Sequence, residues 1–517
     1  MTMDILASYP ETPAPKRQFP LRGLLVGLVV VVVLALVGGI TVAVRGLSGG
    51  GTQPEGVLPA GAFAFAKVDL DPSAGQKINA IRFARKFPAL RDKVPADADL
   101  RKALFEAVAD SAGWGDINYA KDVEPWLGQR IGVAAYAPAA GAKGSMGSSP
   151  AGTPNVVAAL QVSDEGKAKA GIDRLLRATP GKPRLGVVVQ DGFALMATTQ
   201  AAADQAAKDA QRGNLAGDAT FSADMKSLGD GIAAAWVNMA GASSLLGLGM
   251  AGIGGLGMGG LAPSTAGQGR TSYVLRFDGP DALELRGSST GGPALPAAKA
   301  PLTGFTDLPA GSLAAFGLVG GDRLVPVMFA QLRKTMGATP GTAGSFDEMV
   351  AQAEKELGIT LPQDLSVLLG SNLVASLDRL SMSDQQVEAG AKVTTDGAKA
   401  EAVLRKILAA SHAHGQDVPV YHRQTKDGYV ISSGKAEADR LTANGKLGDN
   451  PAFRKALPDV ADANVAVWVD VNGLATAIMG TGDKKVDENL APIDGVGLTA
   501  HVGADGSASF RLRLVAH

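Results

Sequence analysis

Residues 233–239, Ala-Ala-Ala-Trp-Val-Asn-Met, return late in the chain as residues 465–471, Val-Ala-Val-Trp-Val-Asp-Val. Each run is short, apolar and typical of a buried strand. Phe221 precedes the first and Phe453 the second at the same distance, so that Trp236 aligns with Trp468. The pair predicts two copies of one fold, if other segments repeat in the same order.

Four more segments do repeat in that order, two of them as identical short motifs at the borders of the copies. The pairs are Leu58-Pro-Ala-Gly with Leu308-Pro-Ala-Gly, Trp126-Leu-Gly with Leu368-Leu-Gly, Asp191-Gly with Asp427-Gly, and Asp278-Gly with Asp505-Gly. The separation between partners shrinks along the chain, as loop insertions and deletions would cause. The sequence therefore predicts an internal duplication, with repeat 1 at residues 58–300 and repeat 2 at residues 301–517.

Each copy mixes helical periodicity with hairpins. Two strands precede an amphipathic helix, and an Asp-Gly dipeptide, which suits the positive φ angles of a tight turn, closes the next hairpin. In the last strand Phe510, Leu512 and Leu514 alternate with Arg511 and Arg513, which predicts one buried and one wet face. We expect an α+β fold: an N-terminal transmembrane helix, then two duplicated halves with mostly antiparallel sheets and packed helices.

Residues 23–44 form an uncharged, Val- and Leu-rich run between Arg22 and Arg45. At ~1.5 Å per helical residue the run is roughly 33 Å long, enough to cross a hydrocarbon core. Lys16, Arg17 and Arg22 precede it, so the N-terminus is expected in the cytoplasm and the C-terminal bulk outside. The alternative is a cleaved signal peptide, whose apolar region is usually shorter. Residues 1–22 are then a disordered tail and residues 45–57 a flexible linker.

The composition excludes several classes of protein. The chain has 517 residues, a formal net charge of −1 and no cysteine. Disulfides, thiolate metal sites and cysteine nucleophiles are therefore absent. With a net charge near zero, the chain has no overall positive charge that would favour binding of nucleic acid.

Two uncharged or low-complexity insertions interrupt the first copy. Residues 138–154 predict a solvated loop, and residues 241–268, rich in Gly, Met and Leu, predict a short helix with a loop, a flap over a ligand or the membrane, or a second span. Gly252-Ile-Gly-Gly-Leu-Gly257 inside the latter matches a dinucleotide-binding pattern. The required preceding strand and packed helix are missing, which disfavours that interpretation.

The remaining chemical signals also have ordinary structural explanations. Asp69 and Asp71 could bind Ca²⁺ or act as an acid–base pair, but residues that precede a helix more often cap it. Ser432-Ser-Gly-Lys435 matches a Ser-x-x-Lys pattern without its usual partners, and is expected to join a strand to a helix. His412 and His414 are expected at a helix end, and His422 and His501 in strands; His517 is the terminus. No catalytic, cofactor-binding or metal-binding residue is predicted.

Several long segments resemble a known family. Val68-Asp-Leu-Asp-Pro-Ser-Ala-Gly-Gln-Lys77, then Phe87-Pro, then Tyr119-Ala-Lys-Asp-Val-Glu-Pro-Trp-Leu-Gly128 are similar to an actinobacterial membrane protein family, Domain of Unknown Function 3352. The resemblance runs from about residue 20 to the end of the chain. It implies an anchored protein outside the cytoplasm, and no activity, cofactor or catalytic residue.

Three functional hypotheses follow. The first is a non-enzymatic extracytoplasmic protein, held in the membrane by residues 23–44, that binds or organises an envelope protein or lipid. The second is a carrier of an apolar ligand, enclosed by curved sheets with helices on one face. The third is a hydrolase of unrecognised type, which would need buried carboxylates or histidines close together in a cleft.

Overall fold

The computed structural model describes most of both predicted copies. The described residues are 52–70, 72–91, 102, 105, 116–137, 155–178, 185–239, 269–292, 301–337, 344–381, 386–413, 420–478 and 488–517. The predicted tail, membrane run and most of the linker lie outside them, as do the insertions at 138–154 and 241–268. Among the helices of the described residues, none is long and apolar enough to cross a membrane.

The described residues of the first half form eight strands. They are β1 (Ala64–Asp69), β2 (Leu127–Tyr136), β3 (Asn155–Val162), β4 (Gly186–Gln190), β5 (Phe193–Ala197), β6 (Ala233–Asn238), β7 (Arg270–Phe277) and β8 (Ala282–Thr290). In the sheet they lie in the order β4-β5-β3-β2-β1-β6-β7-β8, and every pair is antiparallel.

The second half contains eight more strands. They are β9 (Ala314–Val319), β10 (Asn372–Ser381), β11 (Gln386–Thr394), β12 (Tyr421–Thr425), β13 (Gly428–Ser432), β14 (Val465–Asp470), β15 (Ile493–Val502) and β16 (Ala508–Ala516). Their order, β12-β13-β11-β10-β9-β14-β15-β16, is the order of the first half with each strand replaced by the one eight later. The strand topology of the two halves is therefore the same.

The two halves form one sheet. β8 pairs antiparallel with β16, from Ala282 opposite Val515 to Ser289 opposite Ala508, and this pairing completes a sixteen-stranded sheet. We call the β8–β16 pairing the seam. β8 and β16 are corresponding strands of the two halves, and they pair antiparallel. The halves are therefore related by an approximate twofold rotation about the seam.

Helices cover both faces of the sheet. They are α1 (Ala74–Ala84), α2 (Pro88–Arg91), α3 (Glu165–Arg177), α4 (Gln200–Arg212), α5 (Ala219–Leu228), α6 (Gly321–Gly337), α7 (Ser345–Leu357), α8 (Gln363–Leu369), α9 (Gly397–Ala413), α10 (Lys435–Thr442), α11 (Pro451–Ala456) and α12 (Val471–Ile478). α4 packs with Phe193 and Leu195, whereas α3 packs with Ala194 between them, on the opposite face. The carrier hypothesis assumed helices on one face, whereas the first half has them on both faces.

The two tryptophan strands have matching cores. Trp236 packs edge-on against Phe221 with ring centroids 5.5 Å apart, and Trp468 packs against Phe453 at 5.6 Å. Both indoles are buried. In addition, the Leu58 carbonyl accepts a hydrogen bond from the amide of Leu215, and the Leu308 carbonyl accepts one from Leu447, each 2.9 Å long. The repeated sequence segments thus occupy corresponding places in the two halves.

Two local predictions need correction. Asp191 and Gly192 form the predicted two-residue turn with φ angles of 51° and 75°. In the second half, however, β13 already begins at Gly428, and the turn moves back to Lys426 and Asp427. A glycine is required there because a Cβ on Gly428 would lie 1.9 Å from the Val393 carbonyl oxygen.

The alternation in β16 is confirmed, but its wet face is not. The apolar residues Phe510, Leu512 and Leu514 do alternate with Arg511 and Arg513. Yet the side chains of these arginines are only 21% and 10% exposed. The arginine face is not solvated because, at the seam, it lies against the charged residues of the neighbouring half.

Candidate functional site

Charged side chains concentrate at the seam. Glu284 of β8 is fully buried, and four arginines surround its carboxylate: Arg276, Arg286, Arg511 and Arg513. The Arg276 Nε lies 3.1 Å from Oε1, and the Arg511 Nε lies 3.3 Å from Oε2. Arg286 contacts Oε1 from the same strand. One buried acid therefore connects arginines of both halves.

The strand registers explain this convergence. Glu284 lies opposite Arg276 on β7 and opposite Arg513 on β16, so all three side chains project from one face. The repeated Asp-Gly motifs align Glu284 with Arg511 and Arg286 with Arg513. If position 284 were an arginine, as the corresponding position 511 is, the seam would lack this acid. Glu284 therefore provides the negative charge that complements the arginines and lets the two halves pair.

Two further acids lie around the cluster. Asp278 lies 2.8 Å from Arg513 Nη2 and 3.4 Å from Arg276 Nη2, and Asp459 pairs with Arg511. Arg513 is 8% exposed, and its Nε has no hydrogen-bond partner among the described residues. Burial lowers the pKa of the Arg513 guanidinium below its usual value, since desolvation disfavours the charged form, although Asp278 and then Glu284 act in the opposite direction.

A cleft of about 280 Å³ opens at one end of this cluster, and both halves form its walls. The turn between β7 and β8 supplies one wall, and α11 with the following residues supplies the other. Its lining consists of Asp278, Pro280, Asp281, Ala282, Arg454, Lys455, Pro458 and Arg513. We call this the seam cleft.

The carboxylate of Asp281 is already neutralised by two lysines. Lys86 Nζ lies 2.5 Å from one oxygen and Lys455 Nζ lies 3.2 Å from the other. Lys86, followed by Lys455, holds the pKa of Asp281 below its ordinary value. Lys86 also donates to the Ala516 carbonyl at 2.9 Å, which ties the first half to the last strand of the second. Asp281 is therefore a structural counterion in the wall of the cleft.

A second polar network distinguishes the two halves. Asp224 accepts a hydrogen bond from the Trp236 indole at 2.9 Å and one from Arg270 Nε at 2.7 Å. The corresponding residue in the second half is Ala456, and the Trp468 indole nitrogen has no partner among the described residues. This network is internal to the first half and does not reach the seam cleft.

A buried acid and a partly buried acid meet in the second half. Glu437 of α10 is 2% exposed and lies against Asp378 of β10. Burial and the hydrogen bond with Asp378 raise the pKa of Glu437 to about 7. Ser312 donates to the other Asp378 oxygen at 2.7 Å, and Arg440 pairs with Glu437. These acids are far apart in sequence and belong to different elements, so no sequence signal marked them.

The predicted acidic pair has another role. Asp69 lies opposite Arg130 on β2, and its Oδ2 lies 3.2 Å from the Arg130 Nε. α1 has Ser73 at its N-cap, without a side-chain cap hydrogen bond. Asp69 therefore forms a cross-strand ion pair. Asp71, which directly precedes Pro72 and for which capping was predicted, lies outside the described residues.

The Ser-x-x-Lys match does not form a catalytic pair. Ser432 ends β13 and donates to the Gly434 carbonyl at 2.9 Å, while Lys435 begins α10 and pairs with Asp439 at 2.7 Å. The prediction of a strand-to-helix junction is confirmed.

The histidines are dispersed. His412 lies in the last turn of α9, and His414 lies outside the described residues. His422 Nδ1 is 3.0 Å from Glu401, His501 lies in β15, and His517 Nδ1 is 2.7 Å from Asp494. Within the described ranges, no group of three or more His, Asp or Glu side chains could hold a metal ion.

Most of the residues at the seam were not predicted from the sequence. The Gly252–Gly257 pattern lies outside the described residues, and Asp278 of the repeated Asp-Gly motif pairs with arginines. Arg511 and Arg513 were noticed only for their alternation. Glu284 and Arg286 alternate in the same way on β8, and this shared pattern was the available signal.

Comparison with known proteins gives one relationship. Neither the curated proteins nor the solved structures contain a match to this chain. Residues 24–250 are similar to the model of the family described as "Protein of unknown function (DUF3352)".

Proposed function

We propose that this chain is a membrane-anchored, extracytoplasmic binding protein without enzymatic activity, formed by duplication of an eight-stranded unit. The observation that carries the proposal is the seam cleft, which has five charged residues in its lining and walls from both halves. A site that exists only when both halves pair gives the duplicated architecture a function. Its partner is an envelope protein or a lipid, and not a nucleic acid.

The anchor is residues 23–44. Their length and charge-free composition suit a membrane span, and the basic residues before them favour a cytoplasmic N-terminus. The family match begins at residue 24, so the shared family region includes this run. Both halves would then lie outside the membrane on its far side.

The groups in the cleft favour binding over acid–base catalysis. A general acid or base works best with a pKa near the working pH. In the cleft, the pKa of Asp281 is lowered by lysines, and Asp278 is paired with arginines. Glu437, whose pKa is raised to about 7, does not line the cleft. The hydrolase hypothesis therefore receives less support than binding.

A carrier of an apolar ligand is the second candidate, favoured by one repeated feature. Val133 of β2, opposite Ala66 of β1, and Phe316 of β9, opposite Ala375 of β10, are exposed on the same face of the sheet. The two cross-strand pairs correspond, but the large residue lies on β2 in the first half and on β9, the counterpart of β1, in the second. The test is mass spectrometry of lipid retained by the purified full-length chain. The carrier predicts retention that Phe316→Asp abolishes and Val387→Asp, an exposed change on β11, preserves; equal retention by both variants would argue against it.

Membrane topology can be tested directly because the chain has no native cysteine. Ser509→Cys places a thiol at an exposed site on β16, and Ser8→Cys places one in the tail. We expect a membrane-impermeant maleimide to label Ser509→Cys in intact cells, and Ser8→Cys only after the membrane is opened. Labelling of Ser8→Cys alone in intact cells would overturn the proposed orientation, and recovery of both variants in the aqueous fraction would overturn the anchor.

A further inference from the structure

The seam cleft has a local excess of positive charge. The charged residues in its wall and in the cluster behind it comprise seven bases and four acids. The bases are Lys86, Arg276, Arg286, Arg454, Lys455, Arg511 and Arg513, and the acids are Asp278, Asp281, Glu284 and Asp459. The excess is three positive charges in a chain whose net charge is −1. A concave basic site of this kind concentrates anions.

The acids of the cleft are already occupied. Asp281 is shared by Lys86 and Lys455, and Asp278 is shared by Arg276 and Arg513. Each carboxylate in the lining therefore has cations beside it, which offset its repulsion of a visiting anion.

Arg454 is the base that remains available. It is exposed in the lining of the cleft, and no described residue forms an ion pair or hydrogen bond with its side chain. Beside it, Lys455 is half-exposed. The corresponding residues of the first half are Ser222 and Ala223, so the basic pair belongs to the second half alone.

Arg513 supplies a rigid cation deeper in the cleft. Its side chain is nine-tenths buried, and Asp278 fixes one end of the guanidinium at 2.8 Å. The planar guanidinium donates hydrogen bonds in the geometry that phosphate oxygens accept, and a preorganised arginine loses little freedom on binding. The cleft thus combines one fixed arginine with two adjustable bases at its mouth.

We propose that the seam cleft binds a phosphate group, with Arg454 and Lys455 at its mouth and Arg513 in its wall. Its volume of about 280 Å³ suits a phosphate with a small substituent. The group can belong to a phospholipid headgroup or to a soluble phosphate compound. The inference deepens the proposed function by naming the ligand chemistry, and only the lipid source requires the membrane anchor.

Two probes separate the sources, both measured by calorimetry on the full-length chain in a nonionic detergent. The first is inorganic phosphate, and the second is short-chain phosphatidylglycerol compared with short-chain phosphatidylcholine. Arg454→Gln is the test variant because it breaks no internal pair. Arg212→Gln is the matched control, since Arg212 is exposed on α4 and pairs only with Asp209.

We expect Arg454→Gln to weaken binding about tenfold or more, as loss of a charge-assisted hydrogen bond does, and Arg212→Gln to leave it unchanged. Sensitivity with inorganic phosphate supports a phosphate site of either source, and sensitivity with phosphatidylglycerol alone supports the headgroup. Equal binding by the two variants, or no saturable binding of either probe by the unaltered chain, would overturn the phosphate site. The cysteine-labelling result would stand in that case, so the two proposals fail separately.

Discussion

Glu284→Gln is the change to which the seam should respond most strongly. The substitution keeps the shape of the side chain and removes its charge. Four arginines then lose their common counterion, while Asp278 still pairs with Arg513 and Asp459 with Arg511.

The size of the effect follows from burial. Removing one partner of a buried ion pair lowers stability by about 3–5 kcal/mol, because the other charge remains buried and unpaired. Glu284 is fully buried, but the side chain of Arg286 is 28% exposed and that of Arg276 is 22% exposed, so water screens part of the repulsion. We therefore expect the lower end of the range, about 3 kcal/mol.

The assay is urea unfolding of the full-length chain in detergent, monitored by tryptophan fluorescence. The urea midpoints of the variants are compared on the condition that the dependence of the free energy of unfolding on urea concentration is unchanged. The matched control is Glu388→Gln, which removes a partly exposed partner of Arg440 and Arg379 and should lower stability by at most about 1 kcal/mol. Adding Arg511→Gln to Glu284→Gln should restore part of the loss, since it removes one of the uncompensated charges. A loss in Glu284→Gln no greater than in the control would refute the role assigned to Glu284.

Three further changes test other parts of the fold. Asp224→Ala leaves the Trp236 indole without its acceptor and should lower the free energy of unfolding by about 1–3 kcal/mol in the same assay; no change would contradict the network. Gly171→Ala should lower the melting temperature, because its Cβ would lie 2.0 Å from the indole nitrogen of Trp126. Gly166→Ala in the same helix meets nothing closer than 3.5 Å and should raise the melting temperature slightly. Equal shifts in the two variants would argue against the packing of Trp126 on Gly171. The folded-state pKa of Glu437, about 7, lies above its ordinary value of 4.5, so its contribution to stability is present at low pH and is lost as the pH rises through 7. Melting temperatures between pH 4 and 8 should therefore fall less steeply in Glu437→Gln than in the unaltered chain, and parallel curves would exclude the shift.

Local patterns predicted much of the fold. The tryptophan strands, the Leu-Pro-Ala-Gly entries and the amphipathic helices are short-range features, and each lies where its period and flanking residues placed it. The mixed helix and sheet composition with antiparallel pairing is confirmed. The turn near Asp427 lies one residue earlier than predicted. Gly428 is the first residue of β13 and lies too close to β11 to carry a side chain, a contact that the Asp-Gly dipeptide does not encode.

The joining of the halves could not be predicted. Either copy could have closed on itself, and the choice depends on which edge strand finds a partner. Only the complete register shows that Glu284 faces arginines of both halves. The same is true of the cleft, whose walls come from positions such as Asp281 and Arg454 that are distant in sequence and have no local pattern in common.

The seam itself is tested most directly by a disulfide across it. Ser288 of β8 lies opposite Ser509 of β16, and paired strand residues are close enough for a disulfide bond. In the chain carrying Ser288→Cys and Ser509→Cys, mild oxidation should give a monomer with an internal disulfide, seen as a faster band on a non-reducing gel and a mass lower by two hydrogens. Free thiols after oxidation, or only crosslinked dimers, would contradict the pairing of the two halves in one sheet and the cleft that depends on it.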